Sequence, residues 1–242
     1  MSRIIVLGWD ALDLRAIERF GLGGAFGAHR SKIDTYVNPV VGSPHTKELW
    51  PSMITGLHPD EHGVHAARDG GVNWDSDLLR VGSQLADGVI PDDLKTWLGR
   101  RLRENGAKVD SKAAAYYAEH GVETVFDRGG RAISIPNYRT PGDTARGLDS
   151  GRDDLWQSLS VKRSGEGMKP TIDREAVYNL LGSEVGARLG ETIQAVASGE
   201  PLVWTWFGLL DTVGHMQPAL GDDFAREWYE VAAGVTETVR RL

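Results

Sequence analysis

Four side chains, scattered along the chain, have the types and spacing to do chemistry together: Asp10, Thr46, Asp211 and His215. Asp10 follows the apolar run Ile4 to Leu7 after Gly8-Trp9, and Asp211 closes a second apolar run, Leu202 to Leu210. Taken singly, Asp10 reads as a turn cap and Asp211 as the start of the next connection. Each gains weight beside the other two, because His215 stands four residues after Asp211 and Thr46 opens a polar segment reaching Val64. The spacing predicts that Thr46 begins a short helix ending before Thr55-Gly56, a position that exposes its hydroxyl and offers backbone N–H donors to an anion. The chain has no cysteine. Disulfide scaffolds, thiolate metal sites and cysteine nucleophiles are therefore excluded, and any metal must sit on carboxylates, imidazoles, hydroxyls or backbone oxygens.

Three blocks, Ile4 to Asp10, Thr46 to Val64 with its Thr55-Gly56-Leu57-His58-Pro59-Asp60-Glu61-His62-Gly63 ending, and Asp211-Thr212-Val213-Gly214-His215, resemble in order and spacing the alkaline-phosphatase superfamily, especially its type I phosphodiesterase and nucleotide-pyrophosphatase branch. The resemblance implies a two-metal phosphoryl-transfer site on a mainly parallel α/β sheet flanked by helices. Asp10 would match the first-strand metal ligand, Thr46 the nucleophile that also touches metal, and Asp211 and His215 the ligands of an Asp-x-x-Gly-His signature. Oxygen and imidazole donors suit zinc, with manganese also compatible. The implied activity is metal-dependent phosphoester hydrolysis through a covalent threonine intermediate, with a metal pair roughly 3.5–4 Å apart. A phosphomutase of the same superfamily and a non-catalytic phosphoester- or partner-binding relative are the alternatives.

The chain also departs from the resemblance. The family branch commonly has an asparagine near its nucleophile, where Leu49 and Trp50 stand here. A later strand with an Asp-His pair and a further metal-binding histidine have no counterpart through Leu242. The expectation is thus a site incomplete at its C-terminal side, completed by a C-terminal polypeptide or a second copy, or a compact variant recruiting His45, His62 or His65.

Other patterns compete with this reading. His58-Pro59-Asp60-Glu61-His62 has the letters of an His-x-x-Glu-His metalloprotease motif, but that motif needs both histidines on one helical face, and Pro59 between Gly56 and Gly63 favours a turn. His62 is read instead as a structural turn histidine. The glycine cluster Gly21 to Gly27 follows a helix, and Phe26 stands where a dinucleotide fingerprint needs its last glycine. Lys47 and His45 are weaker substrate-binding candidates, the first by charge alone. Trp50, beside Met53 and Ile54, is assigned to packing.

The elements that must position these residues follow from apolar periodicity. Strands are expected at Arg3–Leu7, Ala132–Ile135 and Leu202–Leu210, and helices following an Asp13 cap to about Phe20 and over Asp75–Leu85, Pro91–Glu104, Ala113–Phe126, Thr171 to about Ala197 and Asp222–Arg241. Alternation of the two favours an α/β sheet with functional loops beyond the strand C-termini. A single domain over residues 1–242 is expected, with a Gly-, Arg- and Asp-rich cap or insertion at about 136–169. The four candidates are expected to converge at one sheet edge.

Composition narrows the partners. Over 242 residues, 40% hydrophobic and 25% charged, a substantial core can be buried. A formal net charge of −7 argues against a nucleic-acid platform, which needs clustered cations. The longest apolar stretch is far below the roughly 18–20 residues of a membrane span, and Met1 runs directly into a strand. A cytoplasmic enzyme acting on a small phosphoester is the resulting expectation.

Overall fold

The computed structural model describes residues 3–27, 29, 31, 33–38, 44–65, 113–140 and 173–242. In chain order these form β1 (Ile4–Trp9), α1 (Leu14–Arg19), α2 (Thr46–Thr55), α3 (Pro59–His62), α4 (Ala114–Glu119), β2 (Arg131–Ile133), α5 (Arg174–Ala197), β3 (Leu202–Phe207), α6 (Leu209–Leu220) and α7 (Asp222–Arg240). The chain divides into two compact units, one made of Met1–Asp34 with Val125–Leu242, the other of Thr35–Thr124. The helices expected at Asp75–Leu85 and Pro91–Glu104 lie outside the described residues, as does the expected insertion beyond residue 140.

The first unit is α/β. Among the described residues its strands lie in the order β1-β3-β2 and both pairings are parallel. Register runs from Ile4 opposite Leu202 to Trp9 opposite Phe207, and from Arg131 opposite Val203 to Ile133 opposite Thr205. The near-continuous apolar sequence of β3 follows from this central position, since a parallel strand with neighbours on both sides is buried on both faces. Every residue of β3 after Leu202 is buried. Val177, Leu181 and Val185 of α5, spaced at four residues, share one core with Phe207, with Leu209, Leu210, Val213 and Met216 of α6, and with Phe224, Trp228, Ala232 and Val235 of α7. Asp13 caps α1 by accepting the Arg15 N–H at 2.9 Å.

Several boundaries differ from the expected ones, each for a local reason. β2 stops at Ile133 because Ser134 takes a left-handed backbone, φ 58°. At its start, Gly130 has φ +143°, and a Cβ there would lie 2.8 Å from the Leu202 carbonyl oxygen. The helix expected to reach Phe126 ends at Glu119, where Gly121 turns with φ 67° and the Val122 N–H returns to the Tyr117 carbonyl at 2.8 Å. α5 begins at Arg174, with Asp173 outside it as the cap that accepts the Ala176 N–H. The apolar run expected as one strand to Leu210 breaks at Gly208, so Leu209 and Leu210 open α6. Among the described residues no helix is long and apolar enough to cross a membrane.

Candidate functional site

The C-terminal edge of the sheet carries three of the four candidates. The Asp10 N–H donates to the Phe207 carbonyl at 2.9 Å, extending the β1–β3 ladder by one residue, and Trp9 stacks on Phe207 with ring centroids 4.4 Å apart. The next residue, Ala11, has φ 57°. A left-handed alanine costs about 1–2 kcal/mol, and such strain is found where the chain is held for function. Across the edge, Gly208 separates β3 from α6 and places Asp211 in the first helical turn, where a carboxylate complements the helix dipole. His215 is one turn further on the same helix face, its Nε2 3.6 Å from Asp211 Oδ1. Asp10 and Asp211 thus follow the C-terminal ends of adjacent parallel strands, the usual place for a ligand site in an open α/β sheet.

The donor chemistry of this pair fits a metal in part. Tetrahedral zinc with bonds of about 2.0–2.1 Å sets neighbouring ligand atoms about 3.3 Å apart, near the 3.6 Å between Asp211 and His215. Both side chains are accessible. Among the described residues no group of three or more histidine or acidic side chains is gathered closely enough to hold an ion. Asp211 and His215 therefore fit one edge of a coordination polyhedron.

Thr46 belongs to the second unit. It is the first residue of α2, and the cap is His45, whose Nδ1 accepts the Lys47 N–H at 3.2 Å. Burial, and then the Lys47 charge, hold the His45 imidazole below its usual pKa range. Glu48, which sequence reasoning passed over, is buried in the first turn of α2 and accepts the Asn38 Nδ2 hydrogen bond at 2.7 Å. Trp50 is buried, as its assignment to packing expected.

The ending of this block has a physical reading residue by residue. Gly56 and Gly63 close α2 and α3 with φ 72° each, a conformation that favours glycine. At Gly63 a Cβ would also meet the Tyr116 hydroxyl at 2.8 Å. His58 caps α3, Pro59 is its first residue, and Glu61 returns to the His58 N–H at 2.9 Å. His58 is outside the helix, which removes the helical-face geometry of a metalloprotease motif. His62 is buried; its Nδ1 accepts the Val64 N–H at 3.1 Å, so its Nε2–H donates to Ser52 Oγ at 3.0 Å. That tautomer cannot take a proton from Ser52.

The glycine cluster of the first unit forms a turn after α1, and Phe26 packs against the α5–α7 core. Comparison of the chain with protein-family models, with curated proteins and with solved structures gives no match.

Proposed function

We propose that this chain is a metal-dependent phosphoester hydrolase of the phosphodiesterase type on an alkaline-phosphatase-like fold, acting in the cytoplasm on a small phosphoester. The observation that carries the reading is the placement of Asp10 and of the Asp211/His215 pair after the C-termini of neighbouring parallel strands. In this reading the residues that would hold divalent cations, zinc or manganese, are the four that the resemblance implies, Asp10, Asp211, His215 and Thr46. When bound, such cations supply Lewis-acid stabilisation of charge on the phosphoryl oxygens.

The chain's own residues supply the rest. Thr46 loses its hydroxyl proton to solvent, its Oγ1 bonds to phosphorus, and the bond to the leaving alcohol breaks; water then releases phosphate or a phosphomonoester and regenerates the hydroxyl. Lys47 and His45, flanking Thr46, are proposed to meet the anionic substrate.

The test is hydrolysis of aryl phosphate mono- and diesters by the full chain in zinc or manganese, alone and with a C-terminal complementing polypeptide. Thr46→Ala is expected to lower turnover at least about a hundredfold, and mass spectrometry of quenched reactions is expected to find phosphorylated Thr46. Folded native protein showing neither turnover nor modified Thr46 would sink the hydrolase reading.

A further inference from the structure

Glu184 and Arg188 lie one turn apart on α5, both fully enclosed by the first unit, and form an ion pair. An enclosed charge pair is weak evidence of stabilisation, because apolar residues of the same volume often serve the fold as well. Its geometry shows another task. Glu184 Oε1 accepts the buried Gly208 N–H at 2.9 Å. Gly208 is the hinge between β3 and α6, and α6 has no side-chain cap of its own. The backbone bond that closes its first turn, from the Thr212 N–H to the Gly208 carbonyl, is long at 3.4 Å.

The same face of α5 continues the anchoring. The Arg188 guanidinium lies 4.7 Å from the centroid of the Trp206 ring. Thr192 donates its hydroxyl to the Arg188 carbonyl at 2.6 Å and so accepts from the Thr205 hydroxyl, 2.7 Å away. Residues 184, 188 and 192 thus form a polar column along α5 that meets β3 and its exit.

We propose that Glu184 is a positioning residue: its carboxylate fixes the Gly208 amide and thereby the direction in which α6 leaves the sheet, which sets Asp211 and His215 for their ligand. The inference rests on reading those two as metal ligands. Glu184 touches neither the metal nor the substrate.

The test is zinc titration calorimetry and the visible spectrum of the cobalt-substituted full chain. In E184L/R188M, which strands no charge, zinc affinity is expected to fall about 10–100-fold and the cobalt band to shift, while far-UV circular dichroism and cooperative melting stay native. In E184Q/R188M the amide oxygen again accepts the Gly208 N–H, and affinity is expected within about threefold of native, with the band restored. Equal, native affinity in both folded variants overturns the proposal; so does loss of affinity in folded E184Q/R188M, which decides the matter should E184L/R188M fail to fold. Native protein that binds no zinc, or whose binding survives Asp211→Ala and His215→Ala, overturns the ligand reading itself, and this inference with it.

Discussion

The Nε2 of His62 lies 3.0 Å from Ser52 Oγ, while its Nδ1 accepts the Val64 amide. Burial, and then the charges of His65 and His58, lower the His62 pKa to about 4 against an ordinary 6.5. The folded chain therefore keeps this ring neutral where the unfolded chain protonates it. Stability from this group is complete above about pH 6.5, falls as pH drops towards 4, and changes no further below that, a loss on the order of 3 kcal/mol at most. Urea midpoints between pH 7.5 and 4 are expected to fall more steeply for the native chain than for His62→Gln; parallel curves would reject the assignment.

The same tautomer separates two hydroxyls. Ser52 accepts from His62, which therefore cannot serve it as a base, so Ser52→Ala is expected to leave turnover within about twofold and to cost about 1 kcal/mol of stability, one hydrogen bond. Thr46→Ala should show the reverse. A steady-state assay run beside denaturant unfolding distinguishes them, and a large loss of turnover in Ser52→Ala would move the nucleophile.

Zinc in hundredfold excess over its dissociation constant is expected to stabilise the chain by about 2.7 kcal/mol, raising Tm by about 5–10 °C for a chain of this size. Chelation with EDTA should reverse the shift, and Asp211→Ala or His215→Ala should abolish it. A shift that persists in both variants would place the ion elsewhere.

Two glycines should respond oppositely to alanine. Gly130→Ala forces a Cβ to 2.8 Å from the Leu202 carbonyl at a backbone φ of +143°, and is expected to cost about 2–4 kcal/mol. Gly182, inside α5 with nothing within 4 Å of the point a Cβ would occupy, should gain about 0.5–1 kcal/mol as alanine. Thermal unfolding of both variants checks the contrast.

Much of the sheet was legible because its strands are apolar runs: β3 lies within its expected limits, β1 overlaps its own but runs two residues past Leu7 to Trp9, and Asp13 caps α1 as its type and place predict. The end of β3 was not, because Leu209 and Leu210 continue the apolar run while the break at Gly208 depends on Glu184, distant in sequence. Asp211 and His215 were paired through the Asp-x-x-Gly-His pattern they share with the resembled family, while the helix that puts them one turn apart, Leu209–Leu220, was not expected after an apolar run read as a strand. Glu184 escaped notice since an acidic residue in a helix normally faces water; the signal was the repeat 184, 188, 192 running alongside apolar Val177, Leu181 and Val185. The register that brings Asp10 beside Phe207 is a long-range pairing with no local signature.

That pairing sets Ile4 opposite Leu202, so the first strand finds its only described neighbour almost a full chain length later. On a ribosome adding about 5–20 residues per second, the opening segment waits on the order of ten to forty seconds for its mate. Closing so wide a span also makes nucleation of the sheet slow. Chaperone demand during synthesis should accordingly concentrate on the nascent β1 segment, and a circular permutant that brings the two strands close in sequence should refold faster than the natural order.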